Sequence, residues 1–144
     1  MTPDVNVLVA ASRSDHPHYA VARAWLEQAV AACASGGVLT LMPMVLASYL
    51  RLVTSPKIFQ KPTPIDEALR FTDALLAVPG VRLATLGPEW PALCRLCRDQ
   101  ALTGNDVPDA WLSAATTHLG EHLVSFDRGF TRWLGRSQFT RLMP

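Results

Sequence analysis

The chain has 144 residues, of which 49% are hydrophobic and 17% charged, so it is the size of one domain (residues 1–144) and too apolar for a disordered chain. Its net charge of +1 excludes a general basic field, so any binding of nucleic acid depends on a local patch of basic residues. Three cysteines are too few for a disulfide framework, no apolar run could span a membrane, and the N-terminus does not resemble a signal peptide. We therefore expect a cytoplasmic protein.

In the first half of the chain, short continuous apolar runs alternate with segments whose apolar residues recur at helical spacing. The continuous apolar run 5–11 predicts a strand buried on both faces, and this strand could equally begin at Met1 and run through Asp4. The elements predicted after it are a helix over 18–34, a strand over 38–41 and a helix over 44–54. This half therefore predicts strands that are connected by helices.

The second half begins with segment 55–64, where three prolines and both lysines predict an exposed loop. The elements predicted after it are helices over 65–77, 88–101, 107–119 and 128–134, and strands over 81–85, 122–126 and 139–142. Alternation of strands and helices is typical of a parallel sheet covered by helices, with right-handed crossovers. The sequence therefore predicts an α/β fold with a mainly parallel sheet of four or five strands.

Four acidic residues lie where predicted strands meet loops or where predicted helices begin: Asp4, Asp106, Asp109 and Asp127. In an α/β fold such junctions converge on a crevice at one edge of the sheet. Clustered carboxylates repel one another unless a cation or a proton lies among them, and hard oxygen ligands suit Mg²⁺ or Mn²⁺. The pattern predicts a carboxylate pocket for a divalent metal, and such sites activate water for attack on phosphodiesters.

Each of these acids also has a structural explanation. Asp106 could be the N-cap of the helix that follows, and Asp109 in its first turn would suit the positive end of the helix dipole. Asp127 precedes a short predicted helix and could be a turn or cap residue. Asp4 either caps a strand or is buried and then requires a cation; Asn6, two residues on, shares its face and could orient it. The functional explanation depends on the four acids acting together.

Seven short segments across nearly the whole chain match one family in their order and spacing. They are 4–10, 15–18, 25–26, 46–54, 79–81, 103–110 and 125–130. The set resembles the PIN-domain ribonucleases, in particular the VapC toxins of bacterial VapBC toxin–antitoxin pairs. The resemblance implies an α/β/α sandwich and a homodimeric toxin that cleaves structured RNA, such as tRNA or rRNA, with Mg²⁺ or Mn²⁺. It also implies a VapB-like antitoxin as partner.

The resemblance makes three acids both catalytic and metal-binding: Asp4, Asp109 and Asp127. The second motif of the family usually has Glu where this chain has Ser48, so the site has one carboxylate fewer. Asp106 is the candidate to compensate, because it lies in the same turn as Asp109. The Asp that usually precedes the final Phe of the last motif is Gly129 here.

Other residues are assigned supporting or binding roles. The residues that would support the acids are Asn6, Ser48 and Ser125. The candidates for contacts with RNA phosphates are Arg51, Lys57, Lys61 and Arg128. A groove for an apolar antitoxin segment is predicted on helices 18–34 and 44–76, near Tyr49, Leu52, Val53 and Phe59. His16 and His18 flank a proline in a loop and could touch RNA, although a solvated or capping role is the simpler interpretation.

Two other classes of function compete with a nuclease. A degenerate PIN domain could bind RNA or a protein without cutting, and the absence of an acid at Ser48 motivates this alternative. A phospho-receiver or phosphatase-like domain also collects Asp residues at strand ends. Receivers need a basic residue, usually Lys, beyond a late strand, and this chain has no Lys after Lys61. Metal-dependent cleavage by the purified protein would separate the nuclease from the binding module.

Overall fold

The computed structural model describes all 144 residues and shows five short strands and six α-helices. The strands are β1 (Thr2–Pro3), β2 (Leu39–Leu41), β3 (Val81–Leu83), β4 (Leu123–Ser125) and β5 (Phe139–Arg141). The α-helices are α1 (Val5–Ser12), α2 (Tyr19–Ala32), α3 (Pro43–Val53), α4 (Ile65–Leu76), α5 (Trp90–Asp99) and α6 (Asp106–His118). Short 3₁₀ helices span Cys33–Ser35 and Arg128–Arg132. Except in the first twelve residues, each predicted element is confirmed to within two residues at either end.

The apolar run 5–11 forms a helix, so the strand predicted there is wrong. The chain is a strand only at β1, and Asp4 ends it as the N-cap of α1, in an extended conformation with φ −75° and ψ 163°. Its carboxylate accepts a hydrogen bond from the backbone N–H of Val5, which satisfies one of the free donors at the helix start. Most of α1 is buried, and a helix buried on nearly every side shows the same continuous apolar run as a buried strand.

The strands form a parallel arrangement at the centre of the molecule. β4 pairs with β1 and β5, and β2 pairs with β3, all in parallel. Two backbone hydrogen bonds join the groups: the amino group of Met1 donates to Val38 O at 3.1 Å, and Thr40 N donates to Met1 O at 2.9 Å. The strand order is therefore β3-β2-β1-β4-β5, which confirms the predicted α/β fold with a mainly parallel sheet.

The main core is a cluster of 22 buried apolar residues, with α1 packed against α2 and α3. Val7, Leu8, Ala10 and Ala11 of α1 are completely buried. Because β1 and β4 pair in parallel, their carboxyl ends lie side by side. Asp4 follows β1 directly, and Asp127 lies two residues after β4. The fold thus brings Asp4 and Asp127, the first and the last of the four acids, to one edge of the sheet.

None of the helices has both the length and the apolarity needed to cross a membrane.

The proline-rich segment 55–64 contains no regular helix or strand, as predicted, but a buried arginine fixes its position. Arg13 is 8% exposed, and its guanidinium lies 3.8 Å from the centre of the Phe59 ring. It donates to Thr63 Oγ1 and to the carbonyl of Lys61, both at 3.0 Å, while Asp15 accepts two further hydrogen bonds from it. A buried guanidinium with most of its donors satisfied holds this loop against the end of α1.

Candidate active site

Asp4 is a buried acid with both carboxylate oxygens in hydrogen bonds. The residue is 6% exposed; its Oδ1 accepts from Val5 N at 2.6 Å and its Oδ2 accepts from the hydroxyl of Ser125 at 2.7 Å. Burial raises the pKa of Asp4, and the hydrogen bonds from Ser125 and Val5 oppose that rise by stabilising the ionised form. Asp4 is therefore held in one orientation at the point where β1 becomes α1.

Ser125 connects three of the predicted site residues. It is completely buried, and its Oγ accepts hydrogen bonds from Asn6 Nδ2 at 2.9 Å and from the backbone N–H of Asp127 at 3.0 Å. The carbonyl oxygen of the Asn6 side chain accepts from Phe126 N at 3.3 Å. Asn6 thus contacts Ser125 and the backbone after β4, and its influence on Asp4 passes through the Ser125 hydroxyl. The network fixes the end of β4 relative to Asp4.

Asp109 lies in the first turn of α6, and its pKa is also raised. Burial raises the pKa of Asp109 to about 6, and the negative charges of Asp4, Asp127 and Asp106 add to the rise. No donor of the protein hydrogen-bonds its carboxylate; only its backbone carbonyl is engaged, by the hydroxyl of Ser113 at 2.9 Å. The four acids singled out in the sequence therefore lie near enough to act on one another.

Asp4, Asp109 and Ser48 line one small cleft of about 70 Å³. Ser48 reaches it from the middle of α3, the position at which related sequences are expected to carry Glu. The other lining residues are apolar or proline: Val5, Met44, Val45, Pro108 and Leu112. Larger cavities lie elsewhere on the molecule, but they do not contain the clustered acids. The chemistry of the side chains therefore makes this cleft the candidate site.

The carboxylates of Asp106 and Asp127 are engaged outside this cleft. Asp127 is the N-cap of the 3₁₀ helix, and its Oδ1 accepts from Gly129 N at 2.7 Å. Asp106 is the first residue of α6, so its prediction as N-cap is wrong; Asn105 occupies that position without a side-chain cap. An exposed ion pair of 3.4 Å links Asp106 to Arg132. No three acidic, histidine or cysteine side chains converge on one point as the structure stands.

The donor set nevertheless suits Mg²⁺. This ion keeps several of its own waters and is commonly held by one or two protein carboxylates, with substrate oxygens in the remaining positions. Asp4 and Asp109 provide two carboxylates at the cleft, and Ser48 provides a hydroxyl that could hold a coordinated water. A cation would also relieve the repulsion that raises the pKa of Asp109.

The four candidate RNA-binding residues are all exposed, and none of them has a carboxylate partner: Arg51, Lys57, Lys61 and Arg128. Arg51 follows Ser48 by three residues on α3, and Arg128 directly follows Asp127. Their cationic groups are therefore free to meet phosphate groups. Their role in RNA binding stays a prediction.

The groove predicted on helices 18–34 and 44–76 does not form at Tyr49 and Val53, because these residues are 1% and 0% exposed and belong to the core. Phe59 is covered by the guanidinium of Arg13. An apolar groove of about 350 Å³ lies instead between α2 and α4. Its lining residues are Arg23, Leu26, Glu27, Val30, Ala31, Phe71, Ala74 and Leu75. Helical periodicity marked both helices as amphipathic, but it did not show which of their apolar residues stay uncovered.

Sequence reasoning did not single out Arg13 or Phe126. Arg13 is buried and anchors the loop 55–64, and the signal was an arginine directly after an apolar run, with an acid two residues on. Phe126 lies between two predicted site residues, and its ring stacks on His18 with centroids 4.9 Å apart. That contact joins residues more than a hundred positions apart, so no local pattern indicated it.

A family model for the PIN domain matches residues 1–133. The chain therefore belongs to the PIN-domain family. Within it the chain is similar to the ribonucleases VapC31 and VapC25 of Mycobacterium tuberculosis, with 39% identity over 133 residues and 38% over 131. Each alignment covers 90% of this chain and 90% of the relative. The resemblance to PIN-domain ribonucleases of the VapC type is thereby confirmed.

Solved structures support the same fold. The VapBC2 complex of Rickettsia felis, described as bound to a DNA fragment from its promoter, matches with a TM-score of 0.67 at 14% identity. VapC20 of Mycobacterium tuberculosis, described as a toxin that cleaves the sarcin–ricin loop, matches with a TM-score of 0.65 at 19% identity. Each match covers 99% of this chain and 98% of the other. At these identities the similarity concerns the fold.

Proposed function

We propose that the protein is a metal-dependent endoribonuclease and the toxin of a type II toxin–antitoxin pair, acting on cytoplasmic RNA. The observation that carries the proposal is the cleft in which Asp4, Asp109 and Ser48 meet, beside the exposed Asp127. The proposal is also supported by relatives named VapC ribonucleases at 38–39% identity over 90% of the chain.

Asp4 and Asp109 would hold Mg²⁺ or Mn²⁺, with Asp127 and Asp106 contributing charge and further oxygen ligands. The ion would lower the pKa of a bound water and neutralise charge on the phosphodiester. The residues of the chain have separate tasks. Ser125 orients Asp4 and its hydrogen bond favours the charged form of that acid, whereas Asp109, with its pKa raised to about 6, would bind a cation in its deprotonated form.

The substrate would be held by the exposed cations on either side of the acids. Arg51 lies on the helix that carries Ser48, and Arg128 is next to Asp127. Contacts of this kind position the phosphate chain and do not read its sequence. Lys57 and Lys61 belong to the loop that Arg13 fixes, so they would contact more distant phosphates. A structured RNA such as tRNA or rRNA stays our expectation for the target.

The partner would be a VapB-like antitoxin, and the groove between α2 and α4 supports its binding. Most of the groove lining is apolar, and the groove lies between two helices, which is the geometry that accepts an amphipathic helix.

A homodimer also stays our expectation. Trp90 is 60% exposed beside Leu93 and Val107, so this apolar patch at the start of α5 is available to a second copy. Light scattering of the purified protein, alone and with antitoxin, measures both assemblies.

The test is incubation of the purified protein with total RNA in Mg²⁺, Mn²⁺ or chelator, with the cut ends mapped by sequencing. We expect discrete cuts with either metal, none with chelator, and none with Asp109→Asn. Asp73→Asn is the matched control, because Asp73 is an exposed acid on α4 with no salt bridge. Cleavage that survives chelation, or that Asp109→Asn retains in full, contradicts the proposal.

A binding module without nuclease activity is the second candidate. It is favoured by Ser48 in place of an acid and by the lack of three convergent ligands. Under this alternative the protein would retain RNA in a gel-shift assay with every metal and would cut none. The same incubation therefore separates the two candidates.

A further inference from the structure

An aromatic surface lies one residue from the acid cluster. The ring of His18, just before α2, stacks on Phe126 with centroids 4.9 Å apart and 29° between the planes. Both side chains are partly exposed, and the ring of His16 lies 5.5 Å from that of His18. Phe126 directly precedes Asp127, so this pair, which we call the His18–Phe126 ledge, borders the candidate site.

Hydrogen bonds hold the backbone of both ledge residues. Phe126 N donates to Asn6 Oδ1 at 3.3 Å, within the network that also orients Asp4. His18 N donates to His16 Nδ1 at 3.1 Å, and His16 N donates to the carbonyl of Arg13 at 3.0 Å. Arg13 is itself buried. A backbone ordered in this way loses little conformational freedom when a ligand binds to the rings it carries.

Cations flank the ledge. Arg141 Nε donates to the backbone carbonyl of Phe126 at 3.1 Å, and this exposed arginine has no carboxylate partner. Arg128 is exposed on the other side of Asp127. Aromatic rings, two exposed guanidinium groups without carboxylate partners and the acids therefore lie at the same edge of the sheet.

We propose that the His18–Phe126 ledge binds an unpaired base of the RNA next to the cut phosphate, with Arg141 on the neighbouring phosphate. This inference rests on the proposed nuclease function and names the feature of the substrate that the site selects: a nucleotide that is not base-paired. Recognition of RNA commonly uses loop bases that stack on aromatic side chains, whereas bases within a helix are inaccessible to such a ring.

The binding test uses a single-stranded RNA of twelve nucleotides in which one base is 2-aminopurine, whose fluorescence falls on stacking. Ca²⁺ replaces Mg²⁺, because it accepts oxygen ligands without the strict octahedral geometry of Mg²⁺, and a gel confirms that the RNA stays intact. The variants are His18→Ala, which removes the ring, and His18→Phe, which keeps a flat ring. His118→Ala is the control, since His118 is exposed at the far end of α6 from Asp109.

We expect quenching with the wild type, His18→Phe and His118→Ala. His18→Ala should lose the quenching and bind about tenfold more weakly, in the range known for stacking of one base on one aromatic ring. Equal quenching with His18→Ala, or no quenching with the wild type, overturns the ledge. If both His18→Ala and His18→Phe lose the quenching, the base is bound by a specific hydrogen bond of the imidazole and not by stacking. That result also overturns the proposal.

Two further measurements keep the inference testable. Arg141→Gln should reduce the slope of log affinity against log salt by about one without abolishing quenching at saturation; an unchanged slope removes Arg141 from the proposal. Should His18→Ala fail to fold by circular dichroism, His18→Leu replaces it, because leucine has similar bulk but no flat ring.

Cleavage kinetics separate failure of the ledge from failure of the proposed function. If the wild type cuts RNA and His18→Ala shows a raised KM with unchanged kcat, both stand. If His18→Ala cuts with an unchanged KM, the ledge fails while the nuclease stands. If the wild type cuts no RNA with either metal but quenching still depends on His18, the nuclease fails while the ledge remains a binding site for unpaired bases.

Discussion

Asp4 and Asp109 line the same cleft but are held in opposite ways. Both oxygens of Asp4 accept hydrogen bonds, from Val5 N and from Ser125. The carboxylate of Asp109 accepts none, and burial together with the charges of the neighbouring acids raises its pKa to about 6. Burial raises the pKa of both acids, but at Asp4 two hydrogen bonds to the charged form oppose the rise, whereas at Asp109 no donor does so.

The difference indicates separate roles for the two acids. Asp4 is part of the framework, because it caps α1 and joins β1 to β4 through Ser125. The carboxylate of Asp109 has neither a hydrogen-bond donor nor a cationic side chain as partner, so a bound cation would stabilise its charged form. Each of the following substitutions changes one side of this comparison.

The largest effect is expected from Asp109→Asn in the cleavage assay. The substitution keeps the size of the side chain and removes the charge that would hold the metal, so kcat/KM should fall about a hundredfold or more. Cleavage is measured under single-turnover conditions, with Asp73→Asn as the control. Asp4→Asn should cause a similar loss of activity; a variant of either acid with full activity but a lowered Tm would show that the acid is structural.

Ser125→Ala should have the next largest effect, and it concerns the framework. The buried hydroxyl donates to Asp4 and accepts from Asn6 and from the N–H of Asp127. Its loss leaves buried polar groups without partners, which costs about 1–3 kcal/mol of the free energy of unfolding. Urea denaturation measures the change.

Ser113→Ala is the matched control, because Ser113 is a buried serine whose hydroxyl donates only to the backbone carbonyl of Asp109 within α6. We expect a smaller loss of stability for it. Equal losses for the two variants would mean that the Ser125 network adds nothing beyond an ordinary buried hydroxyl.

Ser48→Glu should strengthen the Asp109 side of the cleft. A third carboxylate at this position should tighten Mn²⁺ binding without RNA by one to a few kcal/mol, an order-of-magnitude figure for a charge at a partly screened distance. Without metal the added repulsion should lower the Tm. Calorimetric titration compares the wild type with Ser48→Glu and Ser48→Ala, and the alanine variant should differ little from the wild type. Unchanged Mn²⁺ affinity in a folded Ser48→Glu protein would remove residue 48 from the metal site.

The smallest effect is a dependence of stability on pH in the absence of metal. The pKa of Asp109 is about 6 in the folded chain and 3.8 as the reference value, so the folded state binds the proton more tightly. The stabilising contribution is therefore complete below pH 3.8 and is lost as the pH rises through 6. Two units of pKa correspond to about 3 kcal/mol, and partial solvent exposure reduces this to about 1 kcal/mol.

Asp109→Asn lacks this titration, so the stability difference between the variant and the wild type should change between pH 4 and pH 7. The variant should be relatively more stable at pH 7 than at pH 4. Thermal denaturation with chelator at several pH values measures the difference. A difference that stays constant across this range would show that Asp109 titrates normally.

The sequence by itself determined most of the secondary structure. From α2 onward, apolar periodicity marks the helices, and prolines and glycines mark their ends, because these signals are local. The positions of the four acids at element junctions were equally readable, and so was the family. The ambiguous element was α1, because an apolar run that is buried on all sides has no period with which to distinguish helix from strand.

The tertiary structure decided which side chains meet. Asp4 and Ser125 are 121 residues apart in the chain. Ser125 donates its hydrogen bond to Asp4 only because β1 pairs with β4. The same holds for His18 and Phe126. Tyr49 and Val53 are apolar residues on an amphipathic helix, and their burial in the core depended on the packing of other elements over them. The pKa of Asp109 is likewise a property of the fold, because burial and the charges of three other acids act through space and leave no trace in the local sequence.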